Sequence, residues 1–189
     1  STAWCMTFLA NRQQQLSGNK VSRGFVKEDD VERAGTDLPE RRVSEFPNYV
    51  TPFGLAQLQS QAAALELQQQ TLLPNKDDPA TQQTLAPLKR DLRYLEARLE
   101  NVILIDPATQ PKDTVLFGAT VHVEDEEGNP HQFIIVGEDE ADIALNKVSW
   151  VSPIAKALIG HKVGETVSWQ RPVGNLNLEI LAINYLAIN

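Results

Sequence analysis

The chain has 189 residues, of which 42% are hydrophobic, and it carries 17 basic against 25 acidic side chains for a net charge of −8. This length allows one sizeable core, or a small domain attached to an elongated helical part. The acidic balance argues against a protein whose main task is to neutralise duplex phosphates, because such proteins present a dominant basic face. The composition therefore favours a protein or a small molecule as partner.

Cysteine content and hydropathy bear on the compartment. The single cysteine, Cys5, excludes an intramolecular disulfide framework and favours a reducing environment. No apolar run approaches the ~20 residues of a membrane span, and the first residues do not resemble a secretory signal. We therefore expect a bacterial-type cytoplasmic protein with no membrane partner.

The first part of the chain, residues 1–48, shows neither a helical nor a strand period of apolar residues. Its stretch "SRGFVKEDDVERAGTDLPERRVSEFPN" is rich in charge, Gly and Pro. Such a composition gives little apolar surface to bury. We predict a flexible N-terminal extension over residues 1–48.

A leucine-rich pattern begins at Tyr49. Thr51 and Pro52 have the character of an N-cap and a first helical residue. Two series of apolar residues at alternating spacings of three and four predict an antiparallel coiled-coil hairpin over residues 49–106. The first series is Leu55, Leu58, Ala62, Leu65 and Leu72, with Gln69 at a seam position, and the second is Leu85, Leu88, Leu92, Leu95, Leu99 and Val102.

The turn of this hairpin is expected between Pro74 and Asp78. Asp78 before Pro79 is a good N-cap followed by a first-turn proline. Pro87 would clash with the carbonyl four residues back in a regular helix. We expect a helix from Pro79 with a kink at Pro87, and the alternative is a helix whose regular part begins near Pro87.

From about Thr114 the pattern changes to short alternating segments. "TVLFGATVHVED" and "HQFIIVGED" predict a β-hairpin around the turn "EEGNP", and "ETVSWQRP" and "LNLEILAIN" predict two more strands. "SPIAKALIG" predicts a short helix capped by Ser152, with Pro153 first and Gly160 as its stop. The fold class is α+β, with a compact domain over residues 107–189 after the hairpin.

Several segments in this domain resemble a known family. "FGATV", "IVGEDEAD", "VSPIAKALIGHKVGETV" and "LEILAI" are similar to the C-terminal domain of the bacterial GreA/GreB transcript-cleavage factors. The resemblance implies an FKBP-like, half-wrapped antiparallel sheet that docks on RNA polymerase at the rim of its secondary channel. It further implies that the coiled coil enters that channel, with bacterial RNA polymerase as the partner and no small-molecule substrate.

The resemblance also bears on the tip of the hairpin. The family carries there a motif of the form GDLKENAEY, whose acidic residues help to hold a catalytic magnesium, a hard cation with oxygen ligands at roughly 2.1 Å. This sequence offers only "NKDDPATQQ", with Asp77 and Asp78 adjacent. The hairpin also looks shorter than that of the family by about nine residues per arm, which retracts the tip by ~14 Å. We therefore interpret Asp78 as a helix cap and Asp77 as a solvated turn residue.

Two surfaces of the C-terminal domain are candidates for partner binding. Their residues are Ser152, Pro153 and Lys156 on the short helix, and Glu138, Asp139, Glu140 and Asp142 in the acidic run "GEDEAD". A solvated loop is the alternative for the acidic run, and packing on the sheet explains the apolar positions of the helix.

A third candidate surface lies on the hairpin. Its residues are the basic stripe Lys89, Arg90, Arg93 and Arg98. The stripe could contact nascent RNA or the channel wall. The alternative is solubility and helix pairing, such as Arg93 with Glu96.

Other chemistry has little support in the sequence. His122, His131 and His161 are scattered without partners at metal-ligand spacing, so we expect no metal site and no cofactor beyond indirect contact with polymerase-bound magnesium. Cys5 stands in the predicted flexible tail, where a nucleophile would not be held in place. A prolyl isomerase would need an apolar, aromatic-lined pocket. We expect the aromatic residues at strand positions to fill the core instead; these are Phe117, Phe133, Trp150 and Trp169.

The sequence leads to three hypotheses. The first is a regulatory factor, not an enzyme, that binds RNA polymerase at the secondary channel without strongly stimulating cleavage. The second is a genuine cleavage factor that uses Asp77 and Asp78 to assist the magnesium of the polymerase active site. The third is a binding protein that acts independently of polymerase.

Overall fold

The computed structural model describes residues 38–189. No helix in this part of the chain is both long and apolar enough to cross a membrane. The helices are α1 (Pro52–Leu72), α2 (Pro79–Glu100) and α3 (Pro153–Leu158), and the strands are β1 (Asn48–Val50), β2 (Val102–Leu104), β3 (Thr120–Asp125), β4 (Pro130–Val136), β5 (Lys147–Ser149), β6 (Thr166–Trp169) and β7 (Leu176–Asn184).

Helices α1 and α2 pack together as a helical hairpin. At the start of α1 the Thr51 hydroxyl accepts a hydrogen bond from the Gly54 N–H at 3.1 Å, and Pro52 occupies the first turn, as predicted. The leucine stripes meet at Leu58, which is 2% exposed, and at Leu92 and Leu95. Burial of a leucine side chain contributes roughly 1.5–3 kcal/mol. These buried leucines therefore stabilise the hairpin.

Helix α2 begins at Pro79 and continues through Pro87 to Glu100. The predicted start at Pro79 is confirmed. Because proline has no N–H, the carbonyl of Gln83 lacks its helical hydrogen bond. The helix continues past Pro87 despite this missing bond. Val102, which we predicted as the last helical seam residue, lies instead in β2, although it packs on the same core.

Strands β1 and β2 form a small parallel sheet at the base of the hairpin, with Asn48 paired to Val102 and Val50 to Leu104. The sequence did not indicate this sheet, because three-residue strands are too short to show an apolar period. Val50 is 1% exposed and joins the apolar core of the hairpin. The sheet thus ties both ends of the hairpin together.

A five-stranded sheet forms the C-terminal domain, in the order β5-β4-β3-β7-β6. The pairs β3–β4, β3–β7 and β6–β7 are antiparallel. The prediction of a wholly antiparallel sheet is wrong at one edge, because β5 pairs with β4 in parallel. Helix α3 covers the core of this sheet, which includes Val115, Val121, Ile135, Ile154, Leu158, Leu178 and Ile180.

Residues 38–47 form no helix or strand, yet they lie against the rest of the protein. The Arg41 guanidinium stacks 3.8 Å from the centre of the Tyr94 ring on α2. Phe46 packs edge-on against Trp150, with ring centres 6.0 Å apart. The expectation of little fixed structure is therefore wrong for residues 38–47, which we call the strap. Residues 1–37 of the predicted extension, including Cys5, lie outside the described residues.

Candidate functional site

The tip of the hairpin is a short turn that places Asp77 and Asp78 next to each other. A single 3-10 turn, Leu73–Asn75, follows α1 and leads to Asp78 at the N-cap of α2. The Asp78 carboxylate accepts hydrogen bonds from the Thr81 N–H at 3.0 Å and from the Thr81 hydroxyl at 3.1 Å. The prediction that Asp78 is a helix cap is confirmed, and Asp77 is exposed.

Replacing Asp78 tests this role of the carboxylate as a cap. We expect Asp78→Ala to lower the free energy of unfolding by about 1 kcal/mol, because an N–H of the first turn loses its acceptor. Asp78→Ser keeps an acceptor oxygen and should cost much less. Urea unfolding followed by circular dichroism at 222 nm measures both variants, and equal losses would show that the cap is not the source of the effect.

The acidic run lies at the junction between the hairpin and the C-terminal domain. Glu140 is 5% exposed, and its carboxylate accepts hydrogen bonds from the Thr51 N–H at 3.0 Å and the Gly137 N–H at 3.1 Å. It also accepts a bond from the Thr51 hydroxyl. Glu140 therefore holds the first turn of α1 against the 3-10 turn Glu138–Glu140, and the expectation of an exposed Glu140 is corrected.

A second polar contact crosses the same junction. The Asp139 carboxylate accepts a hydrogen bond from Arg98 Nε at 2.6 Å and another from the Tyr94 hydroxyl at 2.5 Å. Burial, and secondly the hydrogen bond to Asp139, raise the pKa of Tyr94 to about 12. Glu138 Oε2 lies 3.7 Å from Arg98 Nη2. These two acidic residues thus face the hairpin, and only Asp142 of the four acidic candidates is classed as exposed.

The basic stripe of α2 is only partly a surface. Arg98 is 2% exposed and belongs to the junction, because its guanidinium is turned to Asp139. The Arg93 side chain binds Glu40 of the strap, with Nε 3.1 Å from Oε2, and not Glu96, the partner named in the alternative. Arg90 is paired with Asp91 at 3.0 Å, and Lys89 is exposed. Two of the four cations are therefore engaged by carboxylates at the surface, which weakens the case for RNA binding.

An open apolar cavity of about 490 Å³ lies beside the N-terminus of α3. The Ser152 hydroxyl caps α3 by accepting from the Ala155 N–H at 3.3 Å, and Pro153 follows it, as predicted. Lys156 is exposed on the same helix. The residues that line the cavity include Phe133, Ile143, Val148, Ser152, Pro153, Ile154, Trp169 and Pro172.

The aromatic lining of this cavity was not predicted. Phe133 and Trp169 pack edge-to-face with ring centres 5.6 Å apart, and both line the cavity while they also touch the core. The prediction that the strand aromatics fill the core is confirmed, since Phe133, Trp150 and Trp169 pack against the core and Phe117 is 7% exposed. Phe133 and Trp169 line the cavity in addition. Ile143, which also lines the cavity, is 91% exposed and so extends its apolar surface towards the solvent.

His122 and His131 line one open cavity of about 430 Å³, and His161 is not among its lining residues. His131 Nε2 lies 3.0 Å from Asp125 Oδ2, and this hydrogen bond, with others from backbone N–H groups, holds the pKa of Asp125 well below its usual range. His161 Nδ1 lies 3.6 Å from Glu165. Among the described residues no group of three or more His, Cys, Asp or Glu side chains could hold a metal ion.

Comparison with known proteins gives consistent matches. The family model for "Transcription elongation factor, GreA/GreB, C-term" matches residues 110–185. The chain is 32% identical over 161 residues to the transcription elongation factor GreB of Neisseria meningitidis serogroup B, which covers 77% of this chain and 99% of that protein. It is 44% identical over 97 residues to GreA of Thioalkalivibrio sulfidiphilus, which covers 50% of this chain and 61% of that protein.

One solved structure, a GreA/GreB elongation factor from Nitrosomonas europaea, is 24% identical and covers 72% of this chain and 98% of that chain. Its TM-score of 0.37 means that the two chains superpose only in part. The sequence matches define the class of the protein, a transcription elongation factor with a regulatory role. The chain belongs to the GreA/GreB family.

The match to GreB also shows a difference in length. The alignment has 161 positions, but 77% of the 189-residue chain is only about 146 residues, so some positions of the alignment are gaps in this chain. This chain therefore lacks residues that GreB of Neisseria meningitidis has.

Proposed function

We propose that this chain binds RNA polymerase at the secondary channel and modulates elongation without strongly stimulating transcript cleavage. Family membership supports the partner, and the tip of the hairpin supports the absence of strong cleavage stimulation. The observation that carries the proposal is that the Asp78 carboxylate already accepts two hydrogen bonds from Thr81.

The tip fits poorly to a magnesium ion. A hard cation prefers several oxygen ligands in a fixed octahedral arrangement. The Asp78 carboxylate caps the helix and Asp77 is exposed beside it, and within residues 38–189 no group of three or more acidic, His or Cys side chains could hold a metal ion. Assisting a metal of the polymerase with this turn would require Asp78 to give up its bonds to Thr81. We therefore assign the tip a structural role.

The reach of the hairpin supports the same conclusion. Helices α1 and α2 have 21 and 22 residues. At ~1.5 Å per residue each arm is only about 32 Å long. We infer that the residues missing relative to GreB belong to these arms. A shorter hairpin would leave the tip further from the polymerase active site.

The apolar cavity supports docking of the C-terminal domain on a protein. It joins the exposed Ile143 to the cap of α3 at Ser152 and Pro153, which the sequence had indicated as binding residues. An apolar cavity with an exposed aliphatic residue at its side fits a side chain from a protein surface. We assign this surface to the polymerase contact, and Asp142 and Lys156 remain candidates at its edges.

A cleavage assay tests the proposal. Purified protein is added to a backtracked elongation complex with 3′-labelled RNA, with and without a cleavage-stimulating factor. We expect no short 3′ fragments from the chain alone, and inhibition of the added factor. The double variant Asp77→Asn/Asp78→Asn should inhibit as well as the wild type, because its carboxylates are not used.

Two further variants locate the contact. Ile143→Asp should abolish the inhibition, whereas Val163→Asp, a matched change at an exposed aliphatic residue outside the cavity, should not. If the chain alone produced short 3′ fragments and Asp77→Asn/Asp78→Asn did not, the tip would assist cleavage. A protein that neither inhibits nor co-purifies with polymerase would have to act independently of it.

A further inference from the structure

The strap, residues 38–47, lies outside the part of the chain that matches the family model, which begins at residue 110. It forms no regular secondary structure. Its contacts nevertheless reach two different parts of the molecule. One end lies on helix α2 of the hairpin, and the other lies on the C-terminal domain.

The end on the hairpin is held by two charged residues. The Glu40 carboxylate accepts hydrogen bonds from Arg93 Nε at 3.1 Å and from Arg93 Nη2 at 2.5 Å, in a two-bonded arrangement that fixes direction as well as distance. The Arg41 guanidinium lies 3.8 Å from the centre of the Tyr94 ring and 3.6 Å from the Asp91 carboxylate. A cation over an aromatic face is attracted by the ring quadrupole.

The other end is held by an aromatic cluster. The Phe46 ring packs edge-on against Trp150, and Trp150 packs against Tyr49 with ring centres 4.9 Å apart. Lys156 Nζ lies 5.6 Å from the centre of the Phe46 ring. Phe46 lies just before β1 in the chain. Its ring thus connects this part of the chain to residues at and near helix α3 of the C-terminal domain.

The strap also covers the polar contact at the junction. Arg41 lies over the face of the same Tyr94 ring whose hydroxyl donates to Asp139. Asp139 in turn accepts from the buried Arg98. Arg41, Tyr94 and Asp139 therefore form one continuous chain of contacts from the strap, through the hairpin, to the C-terminal domain.

From these contacts we infer that the strap is a clamp that fixes the direction in which the hairpin projects from the C-terminal domain. Glu40 and Arg41 are its positioning residues on the hairpin, and Phe46 is its anchor on the domain. The clamp acts within the chain, so this inference does not depend on the proposed contact with polymerase. Without it the hairpin would sample a wider range of angles about the junction.

The distance between two spin labels tests the clamp on the full chain without polymerase. In a Cys5→Ser background, labels are placed at Lys76→Cys on the hairpin tip and at Asn175→Cys in the exposed turn before β7. Pulsed electron paramagnetic resonance then gives the distribution of distances between the hairpin tip and the C-terminal domain. We expect a narrow distribution for the intact strap and a clearly broader one for Arg41→Gln/Phe46→Ala.

The neighbouring arginine provides the matched control. The Arg42 side chain is 87% exposed, and among the described residues its salt bridge is with Glu45 of the strap itself, at 3.8 Å. Arg42→Gln should leave the distribution unchanged. Hydrogen exchange of the Tyr94–Glu100 amides should accelerate roughly 2- to 30-fold in Arg41→Gln and not in Arg42→Gln, as expected for loss of one cation–aromatic contact.

A charge exchange separates loss of the clamp from loss of folding. Glu40→Arg should broaden the distribution, and adding Arg93→Glu should restore it, because the pair is re-formed with reversed polarity. Distributions that are identical in wild type, Arg41→Gln/Phe46→Ala and Glu40→Arg would overturn the clamp. So would a failure of the exchanged pair to restore the narrow distribution.

Discussion

Gly54→Ala is expected to destabilise the protein by about 2–4 kcal/mol, although alanine in place of glycine inside a helix ordinarily stabilises by up to ~1 kcal/mol. The added Cβ would lie 2.1 Å from Glu140 Cδ and 2.5 Å from Cγ. The Glu140 side chain cannot move aside cheaply, because it is buried and bound to Thr51 and Gly137. Displacing it would leave the Thr51 N–H without its acceptor in the interior.

Urea unfolding measures this change, and two controls define it. Ser60→Ala is an alanine substitution at an exposed position of the same helix, where we expect no loss. Glu140→Ala lowers stability by itself, but it removes the atoms that Gly54→Ala would strike. In that background Gly54→Ala should stabilise. A stabilising effect of Gly54→Ala in the wild type would show that Glu140 does not fill this space.

The sequence predicted the helices well because their ends are decided locally. Thr51, Asp78 and Ser152 each cap a helix with a side-chain oxygen, and each is followed by a proline that suits the first turn. These signals act within four residues, so they can be recognised without knowing the fold. The tip of the hairpin was predicted for the same reason.

The junction could not be predicted, because its chemistry depends on distant parts of the chain. Glu138, Asp139 and Glu140 look alike in the sequence, and a run of acidic residues is usually solvated. Glu140 is buried only because Thr51, from another element, brings its N–H and hydroxyl donors to it. Thr51 itself was recognised as a cap, but its second role as a donor to Glu140 leaves no local pattern.

The strap was missed for a related reason. Residues 38–47 bury little of their own surface, and an apolar period is absent because single residues make the contacts. Arg41 and Phe46 find aromatic partners that are far away in the sequence. Composition alone therefore predicted flexibility where long-range contacts hold the chain.

Arg98→Ala is expected to lower the free energy of unfolding by about 3–5 kcal/mol, because removing one member of a buried ion pair leaves its partners without compensation. Arg98 is 2% exposed, and its Nε donates to Asp139 at 2.6 Å. Glu138 would lose the same cation, since its Oε2 lies 3.7 Å from Nη2. Arg98→Lys should recover only part of the loss, because an ammonium cannot reproduce the direction of the Nε–H bond.

Arg93→Ala is the matched control, since Arg93 is on the same helix but exposed and paired with Glu40 at the surface. Its removal should hardly change stability, because exposed ion pairs contribute little, and about 1 M salt, where the Debye length is ~3 Å, should reduce any change further. Most of the Arg98→Ala loss should persist at that salt concentration, because Arg98 is 2% exposed and a partly buried pair is screened much less than a surface pair. Equal, salt-sensitive losses in both variants would mean that Arg98 is solvated and that the junction is held by Glu140 and Thr51 alone.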